Sequence, residues 1–298
     1  MDPTRLAVLR ELADRGSVAA VASAWNVTPS AVSQQLATLQ AGIPVPLTIR
    51  RGRRLVLTEA GEALAVAATR VEEALALARG SIETFLERPE RAVTVSAFHS
   101  AGFALFGPLI SRIDGRVRLE LADADVAEDE FPGLTADYDL VIAHRLAHHR
   151  EWPRERHVVT PLFVEPLDIA MNEHHPLASQ SAIHPEQLRD ERWISTHEGF
   201  PLAGVLQHLG GLAGRAPRIE HRINEFFLAA QVIRTGAAIA VMPRLTAAAL
   251  ATDGMVLRPL AGEPVVRHVD VLARPDALGL PSVRLVRDVL RDVAAELR

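Results

Sequence analysis

The sequence contains no cysteine and no lysine; all 32 of its basic residues are arginine. Without cysteine there are no disulfides, thiolate metal centres or cysteine nucleophiles. Without lysine there is no Schiff-base chemistry on this chain. Long apolar runs are missing too: no stretch reaches the roughly 18 residues that a membrane span needs. The opening MDPTRLAVLRELADRG lacks the basic and apolar regions of a secretion signal. The expected location is therefore the cytoplasm, with no membrane partner. No G-x-S-x-G elbow, G-x-x-x-x-G-K-[ST] loop, H-E-x-x-H or G-x-G-x-x-G occurs. The twelve histidines include the pairs His148-His149 and His174-His175, with His144 near the first pair. Adjacent side chains diverge in regular structure and seldom chelate together. Asp123 and Asp125 fit a solvated loop pair. The expectation is a protein that is not an enzyme, with no cofactor and no metal.

What is present divides into three regimes. The 298 residues are 48% apolar and carry a net charge of −5, enough for one large core or two to three smaller ones. Residues 1–60 hold seven arginines against four acidic residues, and Arg50, Arg51, Arg53 and Arg54 fall within five positions. A basic end on an acidic protein suits an anionic partner touched at that end.

Three short helices are expected first. Pro3–Asp14 places Leu6, Leu9 and Ala13 on one face, and Gly16-Ser17 suits its end and the next cap. Val18–Trp25 buries Val18, Val21, Ala22 and Trp25, followed by a tight turn at Asn26-Val27. Thr28 caps a third helix with Pro29 at its first position, where a missing N–H costs nothing. Ala31, Val32, Leu36 and Leu39 recur there at core spacing, leaving Ser30, Ser33, Gln34, Ala37 and Thr38 outward. This is a helix-turn-helix pattern. Small residues let such a helix sink into a major groove, and Ser and Gln can read base edges. The following TIRRGRRLVLT reads as a β-hairpin, Thr48-Ile49 against Leu55-Val56-Leu57, with an arginine-loaded turn placed to grip phosphates or a minor groove.

From Thr58, an N-cap, to Leu86 runs one long helical pattern. Leu64, Ala68, Val71, Leu75, Ala78, Ile82 and Phe85 step by 4 and 3, a heptad seam that predicts pairing with a second helix. Arg88-Pro89-Glu90 ends it and reads as a hinge.

These residues resemble the LysR-type transcriptional regulators. The resemblance is carried by Gly16-Ser17, Val21-Ala22, Val27-Thr28-Pro29-Ser30-Ala31-Val32-Ser33-Gln34-Gln35-Leu36, Leu39, Arg50 and Leu57-Thr58-Glu59-Ala60-Gly61. It implies an N-terminal all-α winged helix-turn-helix at 1–58 and a dimerising linker helix at 59–88. A C-terminal α/β effector domain follows at 92–298, two-lobed like the periplasmic binding proteins. Lobe I takes about 92–163 and 266–298, and lobe II about 164–265. The sequence departs from the family after the third helix. Leu39-Gln40, Pro44 and Leu47-Thr48-Ile49-Arg50 stand where Leu-Glu, Gly and Leu-Phe-x-Arg are usual.

The second half alternates short β-branched runs with helical stretches, an α/β signal. Val93–Ala97 reads as a buried strand, Phe98-His99-Ser100 as a loop, and Leu105, Leu109 and Ile113 mark a helix. Such a start aims free N–H groups over the strand end. Further units are expected at Arg116–Leu121, Tyr138–Ala143, Leu167–Met171, Trp193–Thr196 and Ile219–Ile223. Asn224 then caps a helix Glu225–Arg234. Ala237–Met242 and Val265–Ala273 are strands, and Pro281–Arg298 a closing helix. His174-His175-Pro176-Leu177-Ala178 and the run from Gly236 to Pro243 resemble family segments of the second lobe. Two lobes leave a cleft, the default pocket. Its candidate lining residues are His99, Ser100, His144, Thr196, Glu198 and Asn224, with Ser100 where the family commonly touches its effector. Hydroxyls and helix starts favour a carboxylate, while Glu198 or Glu225 would admit an amino acid; both stay open.

The resulting expectation is a transcriptional regulator, a homodimer or homotetramer, on an interrupted palindromic operator in double-stranded DNA. Thr28, Pro29, Ser30, Ser33 and Gln34 approach bases, and Arg50, Arg51, Arg53 and Arg54 hold phosphates. A small-molecule effector between the lobes changes how the subunits present DNA-reading helices to operator and transcription machinery.

Overall fold

A computed structural model describes residues 1–52, 54–83, 85, 91–252, 254–262 and 264–297. The first helix, α1 (Pro3–Arg15), starts where the Asp2 carboxylate accepts the Thr4 and Arg5 amides and stops at Gly16, whose φ is 69°. Its extra residue beyond Asp14 follows from that left-handed stop. Helix α2 (Val18–Ala24) is capped by the Ser17 hydroxyl, and Asn26, at φ 52°, turns the chain into α3. Helix α3 (Pro29–Ala41) is capped by Thr28 and buries Val32, Leu36 and Leu39. These side chains and Leu6, Leu9, Leu12 and Val21 form one small core.

The hairpin forms as β1 (Thr48–Arg51) against antiparallel β2 (Arg54–Leu57). The unusual Gln40 organises the proline-rich approach to it. Its amide nitrogen donates to the Ile43 and Val45 carbonyls at 3.1 and 2.8 Å, while its oxygen accepts the Leu47 amide at 2.7 Å. A glutamate could not supply those donors. Leu47 thereby stays buried at 3% exposure.

Helix α4 (Glu59–Glu83) begins at Thr58, whose hydroxyl accepts the Gly61 amide at 3.0 Å. The expected seam splits into two halves. Ala68 is buried and Leu64 and Val71 pack into the core of the same chain, because α1 lies across this half of α4. Leu75, Ala78, Ile82 and Phe85 are exposed. A different edge of α4 meets the second half of the chain: a Cβ on Gly80 would stand 2.5 Å from the Gly279 carbonyl oxygen. The hinge at Arg88-Pro89-Glu90 lies outside the described residues.

The α/β half contains β3 (Val93–Ala97), α5 (His99–Ile113), β4 (Leu119–Asp123), α6 (Phe131–Leu134) and β5 (Leu140–Leu146). Then follow β6 (Val158–Asn172), β7 (Arg192–Ser195), α7 (Pro201–Ala213), β8 (Arg218–Arg222) and α8 (Phe226–Arg234). The chain ends with β9 (Ile239–Pro243), β10 (Met255–Arg258), β11 (Val266–Ala273) and α9 (Pro281–Ala295). The strand order is β4-β3-β5-β11-β6-β9-β7-β8, with β10 also on β6. Strand β6 joins the lobes: Val158–Pro166 pairs with β11, and Leu167–Ala170 with β9. It starts nine residues before the Leu167 expected from hydropathy (167 against 158) because Thr160, Pro161, Glu165 and Pro166 interrupt the apolar run. Lobe I packs Leu105, Leu109, Ile113, Val283, Val286 and Leu290 over its strands. Lobe II has its own cores on either sheet face.

Several local expectations are corrected. His99 and Ser100 are the first turn of α5, not a loop, and Phe98 is its N-cap without a side-chain bond. The strand expected at Arg116–Leu121 lies at Leu119–Asp123, since Asp114 and Gly115, at φ 47° and 70°, first turn the chain. Asn224 does not cap the next helix. Glu225 does, accepting the Phe227 amide at 3.1 Å, while Asn224 accepts the His197 amide at 2.8 Å.

Candidate functional site

On the first surface, Thr28, Pro29, Ser30, Ser33 and Gln34 are all exposed along the start of α3. Their side chains differ in freedom. Thr28 caps Ala31 and shares a 2.9 Å bond with Ser30, and Ser33 donates back to the Pro29 carbonyl at 2.9 Å. Gln34 makes no side-chain hydrogen bond among the described residues, so it is the least committed donor and acceptor on that face. Arg50, Arg51 and Arg54 are exposed on the hairpin, and Arg53 lies outside the described residues. The basic count of the N-terminal segment does not all belong here. Arg10 and Arg15 face away: Arg10 is 5% exposed, and Arg15 reaches Asp137 at 2.9 Å in lobe I.

The second feature lies between the lobes. His99, Ser100, His144, Thr196 and Asn224 converge there with Asp125, Phe98, Phe200, Leu202, Phe226 and Arg267 around a cavity of about 20 Å³. Glu198 is a correction: its side chain is exposed and pairs with Arg222 at 3.2 Å, outside the cleft. At the cleft floor sits a buried ion pair that sequence patterning missed. Arg267 is paired in register with Glu165 across the two strands that join the lobes. Its guanidinium meets the Glu165 carboxylate at 2.7–2.8 Å and also donates to the hydroxyls of Ser100 and Thr246. Phe98 stacks 4.8 Å from it. The signal was present as single charges inside the apolar runs F-V-E-P-L and V-V-R-H-V. Only the pairing of distant strands makes them one unit.

His144 is wholly enclosed, with Phe98 and Phe131 rings 4.4 and 5.5 Å away. Burial first, and then the Arg267 charge, hold its pKa well below the ordinary 6.5, so it stays neutral. Burial pushes the Asp125 carboxyl up, while His99 and Arg267 pull the other way. Two contacts close the mouth across the lobes: His99 to Glu225 at 3.1 Å, and Phe103 edge-on to Phe227 at 4.6 Å. Among the described residues no cluster of three or more His, Cys, Asp or Glu could hold a metal ion. No described helix is long and apolar enough to cross a membrane.

The family models match this layout. The model for bacterial regulatory helix-turn-helix proteins of the lysR family covers residues 3–62, and that for the LysR substrate binding domain covers residues 86–295. The chain belongs to the LysR family of transcriptional regulators. Among its relatives is the transcriptional dual regulator GltC of Bacillus subtilis, 24% identical over 281 residues, covering 91% of this chain and 90% of that one. Full-length OxyR from Pseudomonas aeruginosa shares its fold, with a TM-score of 0.65 at 20% identity over 99% of this chain and 94% of that one. Full-length CbnR, solved in complex with its target DNA, has a TM-score of 0.54 at 20% identity over 99% and 100%. This LysR-type regulator thus combines a DNA-binding helix-turn-helix domain with an α/β effector-binding domain.

Proposed function

We propose that residues 1–58 read an interrupted palindromic operator while 92–298 bind an effector in the cleft, with residues 59–88 linking them. Thr28, Pro29, Ser30, Ser33 and Gln34 approach base edges, and Arg50, Arg51, Arg53 and Arg54 hold phosphates. The observation that carries this reading is the uncovered start of α3 beside an exposed arginine hairpin. In this reading the protein acts in the cytoplasm by binding, without turnover. The measurement is operator affinity against salt. Replacing Arg51 and Arg54 by Ala lowers the slope of log K on log salt by about two, whichever sequence is bound. Gln34→Ala instead costs about 1–3 kcal/mol on the operator alone. An unchanged slope overturns the hairpin's role.

The assembly is a homodimer or a tetramer of two such pairs. The apolar side chains Leu75 and Ile82, 41% and 64% exposed along one stripe of α4, and Phe85, 85% exposed just beyond its end, support a paired helix, because a lone helix would leave that stripe in water. A Leu75→Asp, Ile82→Asp double variant sediments as a monomer where the parent sediments as a dimer or larger. A monomeric parent at micromolar concentration overturns the pairing. Effector binding at the cleft alters the angle between lobes and so the presentation of two α3 helices.

A further inference from the structure

The cleft of about 20 Å³ has room for a single water, yet polar groups around it stand unanswered. Thr196 Oγ1 and His144 Nδ1 are buried without a hydrogen-bond partner, on side chains only 9% and 4% exposed. Arg267 spends Nε and Nη2 on Glu165, Ser100 and Thr246, and its Nη1 makes no hydrogen bond among the described residues. Nearer the mouth, the Asp125 carboxylate accepts no hydrogen bond among the described residues. The basic atom beside it is His99 Nδ1, 3.9 Å away, and that nitrogen lies closer to Glu225, at 3.1 Å.

These groups are sorted by sign. The floor offers the unused Nη1 of a guanidinium already paired with Glu165 and two groups able to donate, three donors that suit a carboxylate. The mouth offers a carboxylate that accepts no hydrogen bond among the described residues and shares its one neighbouring imidazole with Glu225, which suits an ammonium. A simple carboxylic acid would leave Asp125 unanswered and set a second anion near it. A simple amine would leave the Arg267 nitrogen, Thr196 and His144 unanswered. Between floor and mouth the walls are Phe98, Phe200, Leu202 and Phe226, which exclude a charged or strongly polar remainder.

We propose that the cleft binds a free α-amino acid with a small apolar side chain, its carboxylate at Arg267, Thr196 and His144 and its ammonium at Asp125. This rests on the reading of the cleft as the effector site and names the class of effector. Entry requires the lobes to part, because such a molecule occupies several times the present cavity. The His99–Glu225 pair and the Phe103–Phe227 contact open and can close again over the bound molecule.

The experiment is calorimetry and thermal melting of the full-length protein with each of the twenty protein amino acids. For each binder, the matching 2-keto acid and the decarboxylated amine follow. At least one aliphatic amino acid is expected to raise the melting temperature, while its keto acid and its amine bind at least a hundredfold more weakly. Asp125→Asn and Thr196→Val each weaken the amino acid at least tenfold while the free variants melt close to the parent. If a variant fails to fold, the comparison of amino acid, keto acid and amine decides alone. Absence of any amino-acid binding, or a keto acid binding as tightly as its amino acid, overturns the proposal. A carboxylate weakened by Thr196→Val but indifferent to Asp125→Asn keeps the effector cleft and removes only the amino acid. A ligand of any class unaffected by both substitutions overturns the cleft itself.

Discussion

His144 shows how one enclosed side chain makes stability depend on pH. Its pKa is held well below 6.5 by burial, so the unfolded chain takes up a proton that the folded one refuses. The stability associated with the neutral ring is present above 6.5 and is lost as pH falls below it, by up to about 1.4 kcal/mol per pH unit. His157, also depressed mainly by burial, adds to the same slope. His144→Leu is therefore expected to flatten the loss of melting temperature between pH 6.5 and 5, as followed by circular dichroism. Little change is expected at pH 7.5, because its Nδ1 has no partner to lose. An unchanged slope would mean that His157 and the carboxylates carry it.

Two elements meet where there is no room for a methyl group. A Cβ on Gly61, in the first turn of α4, would run into the Leu47 carbonyl, and one on Gly80 would come 2.5 Å from the Gly279 carbonyl oxygen and 3.0 Å from Pro281. The first glycine seats the hairpin on α4, and the second seats α4 on lobe I. Gly61→Ala should destabilise the DNA-binding domain by about 1–3 kcal/mol through overpacking, read as a lower melting temperature with loss of operator binding. Gly80→Ala should leave that domain folded and loosen α4 from lobe I, read as faster amide exchange along the second half of α4. Exchange unchanged by Gly80→Ala would refute the seating role. The Leu57-Thr58-Glu59-Ala60-Gly61 motif was legible as a helix start. That Gly61 is also a contact surface was not, because spacing along a chain does not reveal which backbone approaches from elsewhere.

At the scale of the whole molecule, the two halves are joined by charges. Arg274 meets Glu11 at 3.0 Å, Arg156 meets Asp14 at 3.1 Å, and Arg15 reaches both the Ala136 carbonyl and Asp137. Arg10, enclosed beneath them, lies 2.8 Å from Glu72 and 3.9 Å from Asp276. Removing one partner from such a buried set leaves uncompensated charge, at a cost of about 3–5 kcal/mol. Arg274→Ala is expected to release the DNA-binding domain from lobe I, giving a larger radius of gyration in solution scattering and earlier melting of one half. A superimposable scattering curve with a single unshifted transition would show that the contact holds nothing.

The helices at 3–41, the hairpin, the α/β alternation and the exposed Ser/Gln face of α3 follow from periodicity, caps and turn residues. These act over a few neighbouring positions and are written in them. The family motif at 27–36 adds the function for the same reason: a contiguous helix meets DNA with contiguous residues. What needed tertiary structure was every feature made from distant strands. Hydropathy along the chain could not tell that Glu165 and Arg267 neutralise each other, that Glu198 faces water, or that Arg10 and Arg15 are spent on acidic partners within the chain, Glu72 on α4 and Asp137 in lobe I among them. A side chain's charge is local, but the partner that answers it is chosen by the fold.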